Sequence, residues 1–270
     1  MEPQFAITHI VNDREISSRI YLQLCDLQFA ITLGIGEEKT MILFNKVIEV
    51  MKKIESVKYH KDNLLRIVQE ELGKRQNMSE LNICVELDLT TGIERELEAF
   101  ILQGKSCLDV LVKILHPVLG ILLHSYGDSG EEVLKVLENN LPNMEKKRAE
   151  PLKEIINNHR SWISKRLKTD RDTIAHYRSV VSSGFIKQPC AINTESNHIP
   201  PILEDGTPCC DLVCILYSNL LTLCEDFIPL LLSIKFPSFI SIYTIPEDQQ
   251  DKEYPRKFGV QNDSTSDDSF

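Results

Sequence analysis

Apolar residues recur every three or four positions along most of this chain, and that spacing limits what it can fold into. Ile16, Ile20, Leu24 and Leu27 make one stripe, and Met41, Phe44, Val47, Ile48 and Met51 a second. Leu64, Leu65, Ile67, Val68 and Leu72 make a third, and Leu97, Phe100, Ile101, Leu108, Leu111, Val112 and Leu115 a fourth. Residues three and four apart share one face of an α-helix, so each stripe predicts a helix with one buried side. Gly34-Ile35-Gly36 separates the first two stripes and Asn77-Met78-Ser79 ends the third. Thr91-Gly92 with Glu94 and Glu96 starts the fourth, and Pro117 kinks or ends it near Gly120. Ser129 is expected to cap a further helix opening on Glu131 and Glu132. Another covers residues 145–168 and carries Trp162, expected in the core. Thr207-Pro208 reads as N-cap and first residue of a last helix. Its Leu212, Ile215, Leu216, Leu220, Leu223 and Phe227 call for a central place, and Pro229 predicts a kink or stop.

Extended segments are few. Residues 5–11 read as extended, residues 81–89 alternate as a strand or connector would, and residues 185–192 and 199–203 suggest a two-stranded excursion. The fold class is therefore mostly α, a multi-helix bundle with minor β pieces near the N-terminus and around 185–203. Patterning divides the chain into an N-terminal helical region (1–90), a helical bundle with a short β excursion (91–245) and a disordered acidic tail (246–270).

With 270 residues, 42% of them hydrophobic, the chain can bury a proper core. The formal charge of −10 argues against broad binding to nucleic acid, whose phosphates need a basic face. The first residues lack the basic and apolar regions of a signal peptide. The apolar run 108–123 is broken by Asp109, Lys113, His116 and Pro117, short of the ~20 apolar residues of a membrane span. A soluble, cytoplasmic protein with no membrane partner is the expectation. Its eight cysteines are then free thiols. Cys209, Cys210 and Cys214, with Cys190 and His198, invite a zinc reading. No Cys-x2-Cys knuckle is present and the cluster lies in an apolar run, so core packing is expected and no metal. Neither Gly-x4-Gly-Lys-Ser/Thr nor Gly-x-Gly-x2-Gly occurs, so no nucleotide or other cofactor is expected.

One segment opposes the acidic average. Residues 145–187 hold eleven Lys and Arg against five acids, a net +6 that leaves −16 for the rest. Its bland reading is a solvated helix face, and its sharper one a positive surface for a phosphate-rich or acidic partner. Lys165, Arg166, Lys168 and Arg178 would supply substrate contacts there. Within it lies Asp170-Arg171-Asp172-Thr173-Ile174-Ala175-His176. A histidine can exchange protons with a ribose hydroxyl or a leaving oxygen. An arginine can hold a phosphate and offset its charge, and Asp172 can orient either.

Arg-x4-His with a polar residue after the arginine, at the end of a late helix in an all-α chain, resembles the HEPN superfamily. The resemblance spans roughly residues 92–234. It implies a helical bundle, commonly a homodimer with two motifs facing one another. It also implies a metal-independent endoribonuclease of toxin–antitoxin or abortive-infection type, with Arg171, Asp172 and His176 catalytic and RNA or an antitoxin as partner. Members of the superfamily also serve without catalysis. There Arg171 would be a structural lock on a buried carboxylate such as Asp109, which lies in an apolar helix and needs a partner. The acidic average puts a non-enzymatic scaffold or partner-binding role ahead of the ribonuclease.

Overall fold

A computed structural model describes residues 13–79, 91–176, 180–183, 186–187 and 198–263. The expectations for residues 5–11 and 81–89, for Arg178, and for Cys84 and Cys190 lie outside the described residues.

The first helix, α1 (Arg14–Ile16), opens on Asp13, whose carboxylate accepts the Ile16 N–H at 3.0 Å. It passes through a π-helical stretch, Ser17–Leu22, into α2 (Gln23–Ile35). Gly36, at φ 85°, ends α2 in a conformation that glycine adopts without strain. The next element, α3 (Glu37–Ser79), is one helix where the sequence suggests two. Ile54 and Val57, both 0% exposed, carry the buried stripe across the polar stretch between them. No proline or glycine occurs from Glu37 to Leu72 to break it.

After α4 (Thr91–Leu111) come a 3-10 turn, Val112–Ile114, and α5 (Leu115–Leu119), which contains Pro117 and stops at Gly120 in the left-handed region. The N-cap of α6 (Glu131–Asn139) is Gly130, not Ser129. A long α7 (Asn143–Trp162) continues through a second π-helical stretch, Ile163–Lys168, into α8 (Thr169–Ala175). Trp162 is half-buried rather than core. Four short strands follow: β1 (Val181–Ser183), β2 (Ile186–Lys187), β3 (His198–Ile199) and β4 (Ile202–Leu203). β1 pairs antiparallel with β4 and β2 with β3, the predicted excursion.

The last helix, α9 (Cys209–Ser233), runs unbroken past Pro229. It is long and apolar enough to cross a membrane by length and composition, and 78% of its most apolar window is buried in the protein. Finally β5 (Ile240–Thr244) and β6 (Phe258–Asn262) form an antiparallel hairpin. The reading of everything after Pro246 as tail is thus corrected: the chain is built into the fold as far as Asp263, whose N–H donates to the Phe239 carbonyl at 2.8 Å. The protein is mostly α, with three two-stranded pairs among the described residues.

Contacts gather the chain into two compact units. The first contains Met1–Glu55, Ser106–Ser161 and Leu221–Phe270, the second Ser56–Lys105 and Trp162–Leu220. The divisions fall inside α3, α4 and α9 and at the end of α7. In the first unit the side chains of Ile16, Leu24, Leu27, Leu43 and Phe227 are fully buried. Gln23 there grips the hairpin. Its amide donates to the Phe258 carbonyl at 2.7 Å and accepts the Phe258 N–H at 2.8 Å. In the second unit Ile93, Leu97, Phe100, Ile163 and Val213 are fully buried. His60 Nδ1 lies 2.7 Å from Glu96, tying α3 to α4, and the Lys61 ammonium sits 4.6 Å from the Tyr217 ring centre on α9.

Gly130 explains the choice of N-cap. Its φ is 76°, and a Cβ there would lie 2.8 Å from Ile156 and 2.9 Å from Tyr126. Gly130→Ala combines a left-handed alanine with overpacking and should cost about 2–4 kcal/mol. Gly73, inside α3, has no atom within 4 Å of its missing Cβ, so Gly73→Ala should gain roughly 0.5–1 kcal/mol. Urea unfolding midpoints of the two variants should move in opposite directions.

Candidate functional site

The residues singled out by the sequence, apart from Arg178 and Asp109, lie together in the second unit on one continuous helical run. Ile163 and Leu167 anchor it, both at most 1% exposed, and Leu167 packs against Gly104 of α4 at a distance that leaves little room for a Cβ. The run changes from α to π geometry at Ile163–Lys168. A π turn adds a residue to the helical ladder and re-aims the side chains around it, a feature common at functional sites.

Arg166 points to the turn after β4. Its guanidinium donates to the Asp205 carboxylate and to the Thr207 hydroxyl, the latter at 3.0 Å. Thr207 is thereby engaged by Arg166, and α9 starts at Cys209, two residues on. Asp205 also accepts the Thr207 N–H at 3.1 Å. The Thr207 hydrogen bonds, then Arg166, hold its carboxyl down to about 2. Lys165 lies 3.7 Å from the same carboxylate and is otherwise open to solvent.

Arg171 turns to its neighbour. Its Nε donates to Asp172 Oδ1 at 3.0 Å, and Nη2 donates to the same oxygen. The two side chains are 38% and 39% exposed. This hydrogen bonding holds the Asp172 carboxyl below the usual carboxylate range, with smaller contributions from the charges of Lys168 and His176. His176 ends α8, exposed, and its N–H bonds to the carbonyls of Asp172 and Thr173 at 3.1 and 3.2 Å. Asp172 and His176 are four apart, one helical turn, so the motif centres on Asp172. Arg171 holds Asp172, and Asp109, which belongs to the first unit, accepts the Tyr126 N–H at 2.9 Å.

One residue the sequence reading passed over is Asp170. It is 8% exposed, and its Oδ2 accepts no hydrogen bond among the described residues. Burial pushes its carboxyl up to about 6, with Asp205 and Glu204 adding to the rise and Arg166 and Lys165 opposing it. The signal was available: Ile163, Leu167, Asp170 and Ile174 continue one stripe at helical spacing, so Asp170 occupies a core position. A second such case is Glu225-Asp226, two acids inside the apolar run of α9.

The cysteine cluster divides. Cys209 is buried, Cys210 half-buried and Cys214 exposed, so core packing describes only the first. Burial raises the Cys214 thiol, and a hydrogen bond from Cys209 lowers that of Cys210. Among the described residues no group of three or more His, Cys, Asp or Glu is placed to hold a metal ion. Compared with family models, curated proteins and solved structures, the chain has no significant match in any of the three.

Asp170 makes the fold sensitive to pH. An exposed aspartate releases its proton near pH 4, whereas here the folded state keeps it to about 6. The stability from the bound proton is full below about pH 4 and is lost as pH rises to about 6. Asp170→Asn should therefore stabilise the protein at pH 7.5 by roughly 1–3 kcal/mol and change little at pH 4. Urea unfolding at the two pH values measures the difference, and a gain that is equal at both would exclude proton linkage as its source.

Proposed function

We propose that the protein is a non-enzymatic, partner-binding scaffold of HEPN-like type. The observation that carries this reading is the fate of the cations in the motif region. A phosphate-binding arginine must offer its fork of N–H donors to the ligand. Arg171 commits Nε and Nη2 to Asp172, and Arg166 commits Nη2 to Asp205 and Thr207. Both arginines thus already hold acceptors of the protein itself. The carboxylates beside them, Asp172 and Asp205, would repel an approaching phosphate.

The same geometry revises the lock idea. Asp172 is about two-fifths exposed, so the Arg171–Asp172 pair is a surface ion pair rather than a buried one. Such a pair is worth about 0–1 kcal/mol. Its role is to hold the end of α8 and present an acid–base mosaic to a protein partner.

A ribonuclease is the second reading, favoured by His176. It is exposed at the end of α8, one turn from Asp172, as a proton-transfer group next to a carboxylate would be. Under it, two motifs would meet in a homodimer and RNA or an antitoxin would be the partner.

The test is metal-free incubation of the protein with single-stranded RNA, alongside Arg171→Ala and His176→Ala. The scaffold reading expects no cleavage above that of His176→Ala, and unfolding free energies within about 1 kcal/mol of the parent. Cleavage by the parent that falls about 10²-fold or more in His176→Ala would overturn it in favour of the ribonuclease.

A further inference from the structure

We propose that the cleft between α2 and the first turns of α3 is a docking groove for a basic amphipathic helix of another protein. It lies wholly in the first unit, and its test does not depend on what residues 165–176 do.

Four large apolar side chains are exposed within fourteen residues there: Phe29 at 72%, Leu33 at 49%, Met41 at 66% and Ile42 at 42%. Phe29 and Leu33 are one turn apart on α2, and Met41 and Ile42 face outward from α3. Between the helices is a cleft of about 630 Å³, with Phe29 and Met41 among its walls beside Asp26, Thr32 and Glu37. Scattered surface apolar residues need no explanation, but Phe29 and Met41 facing each other across a concavity with a polar rim mark an interaction surface. Methionine and phenylalanine suit that role, one adaptable and one a rigid anchor.

The end of α2 beside the groove is fixed. A Cβ on Gly34 would lie 2.3 Å from the Lys235 carbonyl oxygen, so α2 meets the segment after α9 backbone to backbone. Gly36 N–H donates to the Thr32 carbonyl at 2.9 Å and the Thr40 hydroxyl to the Gly36 carbonyl at 2.7 Å. The turn between the helices therefore has its own polar groups satisfied, and the groove is preformed.

Two observations choose the occupant. The rim is acidic: Glu37 and Glu38 stand against Lys39 at the start of α3, while Asp26 is already paired with Arg256. At the edge of the cleft α2 also already holds an arginine of this chain. Asp26 pairs with Arg256 at 2.6 Å, and Gln23 clamps the backbone of Phe258. Asp26 is both the acid for Arg256 and a wall of the cleft, so one wall of the groove already takes a guanidinium. Its walls are two helices with no free strand edge to extend, and a third helix fills such a groove by ridge-into-groove packing. A second copy of this chain, at −10, would bring acid to acid.

The probe is a fluorescein-labelled peptide of about five helical turns, leucine on one face and lysine on the other. Controls are the same residues scrambled and a leucine/glutamate counterpart. Anisotropy near 0.15 M salt should show binding of the first peptide only. Phe29→Ser and Met41→Ser should each weaken it about tenfold or more, and Glu37→Lys about threefold. Ile215→Ser, at an exposed apolar residue of the second unit, should leave it unchanged. Circular dichroism must show each variant folded, and if Phe29→Ser does not fold, Met41→Ser and Glu37→Lys decide. No binding, or equal binding by all variants and by the scrambled peptide, overturns the proposal. Self-association of the parent in sedimentation that Met41→Ser abolishes also overturns it, assigning the face to a second copy.

Discussion

Two carboxylates stand side by side in the most apolar helix of the chain, and the first unit is arranged around satisfying them. Glu225 is 7% exposed and Asp226 3%. A buried carboxylate without a cation would give up its charge or melt its surroundings. Arg19, from the π-helical stretch, donates to Glu225 at 2.6 Å. Lys257, one residue before β6, lies 2.5 Å from Asp226. The two acids thus draw the N-terminal helices and the C-terminal hairpin onto α9 from opposite ends of the sequence. Gln23 adds the two amide hydrogen bonds to Phe258. Charge alone would leave register loose. The amide pair fixes it, because only one residue of the hairpin can meet both groups of Gln23.

The two π-helical stretches repeat one device. Each is bracketed by buried aliphatic anchors, Ile16 and Ile20 in one and Ile163 and Leu167 in the other. Each carries an arginine that reaches an acid distant in sequence, Arg19 to Glu225 and Arg166 to Asp205. In a regular α-helix the anchors fix where every other side chain points. Widening one turn frees the arginine from that geometry while the anchors stay in the core. The position of such a turn is invisible to hydrophobic periodicity, which tolerates a one-residue drift.

Periodicity did show where the core is. Ile16, Ile20, Leu24 and Leu27, read as one stripe, are all at most 3% exposed. It could not show where helices stop, because that depends on caps and breakers. The gap between the stripes ending at Met51 and starting at Leu64 suggests a boundary, yet a stretch without glycine or proline simply remains helix in α3. The hairpin β5–β6 was missed for a different reason. Its strands are half polar, and they are held by Gln23 and Asp226, partners more than thirty residues away that no local window contains. Asp170 was legible in principle, since it falls on the Ile163–Leu167 stripe, but counting it as one more charge concealed its place in the core.

The same limit governs the basic segment. A tally over residues 145–187 gives +6, which suggests an open cationic surface. The tally treats each window as isolated, whereas ion pairs form across windows. Arg160 is answered by Glu131, Arg166 by Asp205 and Arg148 by the Phe236 carbonyl. Glu145, counted against the segment's charge, is turned outward to Lys235. Formal charge along a sequence sets the long-range field, which decides how fast a charged partner arrives. Whether a phosphate can then bind depends on which guanidinium groups still have donors to offer, and that is settled by the acceptors the fold brings to each one.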